Sequence, residues 1–324
     1  MVRIFAHAKY DFIGFRSKAI RATIALFLVG VIALIARGGL DYSVEFTGGT
    51  LMRVAMTTGP VDPVALRSSL AQVGLGDAEI TPFGKNQYLI RARTPIAGSD
   101  SNNITVTTAA ITNALDKLVG PGKWRQDGTR AVGPKVGSDL RTKAFLAIFL
   151  SFFAVLGYLA IRFEWRFGLA AVAATFHDIV LTICFIAVMK LEVSLVIVAA
   201  VLSMVGYSLN DTIVIFDRVR ENMRKNRREQ LVPVLNQSIN ETLPRSVLTH
   251  ATVLATLTAL TVFGGPVIRP FALVMFFGVF TGTFSSIFIA APVLLMIETK
   301  WPGMDGRGVK VGAKAPAAAR TRPA

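Results

Sequence analysis

Six apolar runs, each long enough or nearly so to cross a hydrocarbon layer of about 30 Å, constrain this chain more than any other feature. They cover Ala19–Ala36, Ala144–Ile161, Phe167–Met189, Val193–Phe216, Val247–Phe263 and Phe271–Ile297. Backbone amides in lipid must find partners within their own segment, so runs of this kind are expected to be helices. The composition agrees, with 52% of the 324 residues hydrophobic. The first run is short, and Arg21 and Arg37 near its ends can reach the interface with their charged heads. A cleaved signal peptide is the rival reading of it. Leu34 is bulky where a small residue should precede a cleavage site, and five more runs come after it.

The net charge of +15 would suggest nucleic acid in a soluble protein. Its distribution says otherwise. Lys and Arg number five in Met1–Arg21, two in Arg162–Arg166, seven in Asp217–Ser246 and six in Glu298–Ala324. The short connections on the opposite side hold only Lys190 and Arg269. Positive charge accumulates on the cytoplasmic side of membrane proteins, so both termini are expected there, and residues 37–143 outside as a periplasmic domain. The basic excess reads as topology, with no nucleic-acid partner. The expected divisions are a cytoplasmic N-terminus (1–18), a first span (19–36), the external domain (37–143), five spans within 144–297 interrupted by a cytoplasmic loop (217–246), and a disordered cytoplasmic tail (298–324). The tail ends in "VKVGAKAPAAARTRPA", rich in Ala, Pro and basic residues. The lone Cys184 offers neither a disulfide framework nor a cysteine metal site.

The external segment reads as a small α+β domain. Thr50–Met56 alternates like a strand. "VDPVALRSSLAQVGL" supplies Asp62 as helix cap and Pro63 at the first helical position. "AEITPF" and "QYLIRAR" flank Gly84-Lys85-Asn86, a hairpin-type break. "ITVTTAAITNALDKLV" reads as a second helix, and "TRAVGPKVG" as a closing strand. The order β-α-β-β-α-β is the ferredoxin-like pattern. His7 and the scattered carboxylates have no partners at catalytic spacing, so binding or mechanical roles are expected and not enzymatic chemistry.

The polar residues inside the apolar runs are the informative ones. Ser203, Tyr207, Asn210 and Asp211 share one helical face of the fourth run. A carboxylate there costs a few kcal/mol even on lenient insertion scales, so it is a candidate for an ion or proton pathway. A capping or charge-pairing role is the structural alternative. Thr242, Arg245, Thr249, Thr252 and Thr256 form a polar seam on the fifth run, either a site or hydroxyls that merely satisfy their own carbonyls. Gly278, Gly282, Ser286 and Ala290 give the sixth run a small-residue ridge suited to close packing. The third run carries His177 and Asp178, with Thr182 one turn on. Here a hydrogen-bonded packing pair and a proton carrier are both open. No metal or nucleophile motif is present.

Four stretches carry a family resemblance. "GYSLNDTIVIFDRVRENMRK" is similar to the fourth-span signature of SecF, the smaller half of the SecD–SecF component of bacterial protein export. "VEFTGGTLM" resembles the Gly-Gly motif that opens the family's periplasmic domain, here Glu45, Gly48 and Gly49, with Glu45 where the family usually has Asp. "VGPKVGSDLRTKAFLAI" resembles the approach to the second span. "ETLPRSVLTHATVLATLTALTVFGGPVIRPFALVMFFGVFTGTFSSIF" resembles the fifth and sixth spans. The resemblance implies one six-span half of an RND-like transporter core. SecD supplies the other half, the SecYEG channel with YajC and YidC stands beside it, and a translocating polypeptide is the cargo. It implies coupling to a proton gradient, with no cofactor beyond the coupling ion, H⁺. It implies a proton pathway at Asp211 and Arg245, which Asn210 is expected to share, and Ser203, Tyr207, Asp178, His177, Thr249 and Thr252 are expected as supporting polar groups. Removal from water disfavours a charged Asp211 while a nearby Arg245 favours it, so their separation sets the balance. An RND-type exporter of drugs or lipids is the alternative in another class, but an external domain this small offers little room for its pocket. A passive translocon scaffold is a third.

The charge count makes a direct prediction about topology. Single cysteines placed within Gly98–Asn103 should react with impermeant thiol reagents only from outside the cell, and those within Arg224–Gln230 only from inside. The reverse pattern overturns the orientation.

Overall fold

Each apolar run folds as a helix, and the helices outlast the runs that announce them. The computed structural model describes residues 9–82, 85–92, 102–226 and 229–301; His7, Gly84 and the tail from Pro302 onward lie outside these. The elements are α1 (Arg16–Ala36), α2 (Val44–Thr47), β1 (Gly49–Met56), α3 (Pro63–Gln72), β2 (Glu79–Pro82), β3 (Gln87–Ala92), α4 (Asn102–Val119), β4 (Trp124–Val132), α5 (Pro134–Arg162), α6 (Trp165–Met189), α7 (Leu195–Lys225), α8 (Leu231–Phe263), α9 (Gly265–Ser285), a π turn (Ser286–Ala290) and α10 (Ala291–Lys300). The candidate spans are α1, α5, α6, α7, α8 and the α9–π–α10 unit.

Three of these form the interior. α6, α7 and the α9–π–α10 unit bury about half of their apolar stretch, while α1, α5 and α8 around them bury only a small part of theirs. Glycine sets the closest approach. A Cβ on Gly282 would stand 2.9 Å from the Cβ of Ser208, and Gly278 faces the Met204 side chain with no room for one. The small-residue ridge thus lays α9 directly against α7, as close packing in lipid requires. Phe163, Phe167, Phe216, Leu235 and Leu294 fill one end of the core, and Ile197, Met204, Val274 and Val279 the other.

The segment 217–246, expected as a loop, is mostly a helical hairpin. α7 runs on to Lys225 and α8 starts at Leu231. Its helices are held by polar contacts that a hydropathy reading does not register. Arg218 Nε donates to Glu241 at 2.5 Å and its Nη1 to Glu221 at 2.6 Å. Asn222 Nδ2 donates to Ser238 Oγ at 3.0 Å, inside the hairpin. The N-terminal segment docks on the same hairpin, with the Tyr10 and Ile13 amides donating to the side chains of Asn240 and Asn236.

The α/β domain is a four-stranded antiparallel sheet in the order β2-β3-β1-β4. Met52 stands opposite Ile90 on one side and Thr129 on the other. α3 and α4 cover one face, burying Met52, Val54, Leu66, Leu70, Ile90, Ile111 and Leu115. Asp62 caps α3 by accepting from the Val64 amide at 3.0 Å, with Pro63 at the first helical position. The closing stretch "TRAVGPKVG" divides: the strand begins earlier, at Trp124, and ends at Val132, and Pro134 already opens α5. Proline fits that position because the first amides of a helix have no intrahelical partner. The sheet face without helices carries Leu51, Arg53, Leu89 and Arg91 toward a cleft of about 530 Å³ over the α6–α7 connection.

Overpacking the α7–α9 contact should destabilise the bundle. Gly282→Leu should cost about 1–3 kcal/mol in a denaturant titration in membranes or detergent. Gly157→Leu on α5, where a Cβ meets open space, should cost far less.

Candidate functional site

Among the described residues three carboxyls lie buried on the inner helices, and two of them, Asp211 and Asp178, are met by hydroxyls from neighbouring helices. Asp211 is on α7, facing α8 and the π turn. Ser246 Oγ of α8 donates to Asp211 Oδ1 at 2.5 Å. The other oxygen, Oδ2, is buried with no hydrogen-bond partner among the described residues. His250 lies one turn along α8 from Ser246, on the same helical face, and its Nδ1 is likewise buried without a partner among the described residues. Thr212 Oγ1 and Ser286 Oγ share a hydrogen bond of 2.8 Å next to the same carboxyl. The π turn starts at Ser286, and single π turns inside α-helices recur at functional sites.

Asp178 is the second. It lies midway along α6 with no exposure at all. Ser208 Oγ of α7 donates to its Oδ2 at 2.5 Å and Ser285 Oγ of α9 to the same oxygen at 2.7 Å. His177 Nδ1 stands 3.0 Å from Oδ1. Among the described residues no cluster of His, Cys, Asp or Glu could hold a metal ion.

The expected Asp211–Arg245 couple takes a different form. Among the described residues no ion pair joins them; Arg245 is exposed on α8, and its charge acts on Asp211 from a distance. Neighbouring residues on a helix point about 100° apart, so with Ser246 turned inward Arg245 must turn away. The face of Ser203, Tyr207, Asn210 and Asp211 divides in the same way. Asp211 is buried, Ser203 and Asn210 are exposed, and Tyr207 lies between, its hydroxyl 3.5 Å from the Thr249 carbonyl and its ring edge-on to His250. Thr249, Thr252 and Thr256 are exposed, and each donates to a carbonyl of its own helix at 2.8–3.0 Å. Exposed Ser203, Asn210, Arg245, Thr249 and Thr252 therefore make a polar face on α7 and α8.

The Gly-Gly motif ties the α/β domain to this bundle. Glu45 Oε2 accepts from the Leu195 amide at 2.8 Å, at the first turn of α7, where unpaired amides and the helix dipole favour a negative charge. Its Oε1 stands 3.4 Å from Arg130 Nη1 on β4. The Ser43 amide donates to the Val193 carbonyl at 2.9 Å and the Val193 amide to the Asp41 carbonyl at 2.7 Å. Gly48 and Gly49 turn the chain with φ of 76° and 129°, in the region where glycine is favoured. A Cβ on Gly137 of α5 would press on the Gly48 and Phe46 backbone. Sequence reasoning missed Ser208, Ser246, His250 and Ser285. Ser208, His250 and Ser285 sit within apolar runs and Ser246 at the edge of one, each at helical spacing from a singled-out residue, which was the available signal.

Six helices long and apolar enough to cross a membrane, with one α/β domain, define a multi-pass membrane protein. The chain belongs to the SecD/SecF family: residues 112–300 match the family described as protein export membrane protein SecD/SecF, C-terminal. It is 48% identical to the protein translocase subunit SecF of Gemmatimonas aurantiaca, over 99% of this chain and 98% of that one. It superposes on a crystal structure of SecDF from a Thermus species, described as a translocon-associated membrane protein, with a TM-score of 0.78 and 32% identity. That match covers 90% of this chain and spans only 39% of the solved one. A SecDF structure in a super-membrane-facing form gives a TM-score of 0.66 at the same identity, covering 91% of this chain and 39% of that one.

Ser246→Ala removes the hydroxyl that donates to Oδ1 of the buried Asp211 carboxyl. It should lower thermal stability by about 1–3 kcal/mol, the range for stranding a buried polar group. Thr256→Ala, whose hydroxyl serves only its own exposed helix, should stay within about 0.5 kcal/mol.

Proposed function

We propose that this chain is one half of a protein-export machine driven by the proton gradient. A SecD-like partner supplies six further spans, and the pair stands beside a SecYEG channel, with YajC and YidC as further neighbours. The α/β domain is ferredoxin-like, a reading supported by its β-α-β-β-α-β order and its all-antiparallel β2-β3-β1-β4 sheet. It lies outside the cytoplasmic membrane, with both chain termini inside, and there it engages the emerging polypeptide. The six spans form one repeat of an RND-like core, and the exposed polar face of α7 and α8 is where the partner packs.

The observation that carries the reading is the state of Asp211. It is a buried carboxyl held at Oδ1 by a neutral hydroxyl, with no hydrogen bond to its second oxygen among the described residues. A carboxylate locked by a cation would be expensive to protonate. One held by a hydroxyl admits both charge states, because serine can donate to an anion or accept from an acid. Asp211, with Arg245 and Asn210 on the adjoining face, takes up the proton from one side and releases it to the other. The supporting groups are Ser203, Tyr207, Thr249 and Thr252. The gradient supplies about 2.3 kcal/mol per charge for each 100 mV, enough to shift an equilibrium between two packings. α7 carries that shift to the domain, since Glu45 caps its far end and Val193 pairs with the strand-like segment at Asp41–Ser43.

Export of a secreted protein into inverted membrane vesicles, with and without an imposed gradient, tests this. Asp211→Asn should assemble with its partner and lose all stimulation by the gradient. Asp211→Glu should keep part of it with a displaced pH profile, and Arg245→Lys should be intermediate because it keeps charge and loses the planar fork. Undiminished stimulation in an assembled Asp211→Asn protein would refute the proton role.

A further inference from the structure

Asp178 has the surroundings of a working group, yet it makes no hydrogen bond to Asp211, Ser246 or Arg245 among the described residues. Full burial midway along a span makes a carboxyl expensive, and such residues face protein or water-filled paths for a reason. Its contacts come from three helices: His177 of α6, Ser208 of α7 and Ser285 of α9. Among the described residues the only titratable group in contact with it is His177, and no arginine or lysine pairs with it. The nearest further acid, Asp211, lies less than one turn beyond Ser208 on α7. α1, which packs on α6, brings Thr23, Ile24 and Phe27 around the His177 ring and no charge.

We propose that the His177–Asp178 pair is a second proton-binding site, and that its occupancy is linked to that of Asp211 through one turn of α9. The inference rests on the proton-coupled reading of Asp211. The geometry supplies the link. Ser285 Oγ lies within reach of two acceptors, Asp178 Oδ2 at 2.7 Å and the Gly282 carbonyl at 3.1 Å. An ionised Asp178 draws the hydroxyl hydrogen to itself. When a proton from the aqueous side forms an O–H bond at Oδ2, that oxygen becomes a donor, and the Ser285 hydrogen turns to Gly282. No other bond to hydrogen breaks.

The next residue, Ser286, opens the π turn, shares a hydrogen bond with Thr212 and faces Asp211. Its hydroxyl also reaches the Gly282 carbonyl, at 2.9 Å. Gly282 is thus the shared acceptor of the two serines, one serving each acid. A change of charge at Asp178 alters what that carbonyl must accept, and so alters the wall of the Asp211 site. The same Gly282 has no room for a side chain against Ser208, which keeps the serines of α7 and α9 in register with both acids.

Infrared difference spectroscopy tests this on the full chain, co-assembled with its SecD-like partner in proteoliposomes and stepped in pH. The wild type should show two protonated-carboxyl bands that appear as pH falls. Asp178→Asn should remove one and Asp211→Asn the other. Ser285→Ala, which removes a hydrogen bond to Asp178 and none to Asp211, should shift the Asp178 band. It should also change the pH profile of gradient-driven export without abolishing it. A single titrating band, removed by Asp211→Asn and unmoved by Ser285→Ala, overturns the second site and leaves the first reading standing. Absence of any titrating carboxyl overturns both. If Asp178→Asn does not assemble, the Ser285→Ala spectrum decides, and an unshifted band counts against the proposal.

Discussion

A carboxyl group surrounded by hydrocarbon must be given partners or be neutral, and the bundle is arranged around that requirement at two points. At Asp178 the partners are two serines and a histidine, and at Asp211 they are Ser246 and a nearby histidine ring. Both sets depend on close approach. Gly278 and Gly282 let α9 lie on α7, and this brings Ser285 and Ser208 to one oxygen of Asp178. Elsewhere the same chain solves the problem with opposite charge. Glu298 of α10 and Arg166 of α6, both nearly buried, pair at 3.0 Å at one end of the bundle. Breaking such a pair strands a charge and is strongly destabilising, so it fixes structure. Hydroxyl partners leave the charge of an acid free to change, which is the physical basis of the proposed proton role.

The remaining architecture bears on how a change at Asp211 would be felt elsewhere. α7 is continuous from Leu195, capped by Glu45 of the α/β domain, to Lys225, which pairs with Glu221 at 2.7 Å within the polar hairpin. A displacement of this one helix is therefore delivered to both ends. The outer faces of α1, α5 and α8 are apolar and exposed, as lipid-facing surfaces are, but α8 also exposes Arg245 and a row of threonines. The threonine hydroxyls are satisfied by their own helix, but in lipid the exposed arginine is unfavourable unless protein or water meets it. The incompleteness of the wall beside Asp211 is the strongest structural support for the proposed SecD-like partner.

The apolar runs are legible in the sequence because hydrocarbon imposes length and composition directly. Asp62 and Pro63 announce α3 for a similar reason, since cap chemistry is local. Helix ends are less legible. α7 and α8 continue past their apolar stretches on the strength of Arg218–Glu241 and Asn222–Ser238, contacts between residues that a periodicity count reads as solvated. The short α2 at Val44–Thr47 has no periodicity to betray it. For the site, Asp211 is conspicuous as a charge in an apolar run. Which of its neighbours touch it is a matter of helix rotation, and Ser246 took the inward place that Arg245 was expected to share. Asp178 and His177 stand out equally, but Ser208 and Ser285 are ordinary small residues until tertiary packing brings three helices together. Polar contacts across helices are therefore what the sequence conceals, and they make up most of this site.

The central claim is that the Asp211 carboxyl gains and loses a proton inside the membrane. Carbodiimide labelling of the co-assembled protein in lipid, mapped to individual residues by mass spectrometry across pH, addresses it directly, because the reagent attacks carboxyls only in their protonated form and reaches them from the apolar phase. The account predicts labelling at Asp211 that falls as pH rises and weakens when an imposed gradient draws the proton away. Labelling of Asp211 that is absent at every pH, or indifferent to both pH and gradient, would contradict it.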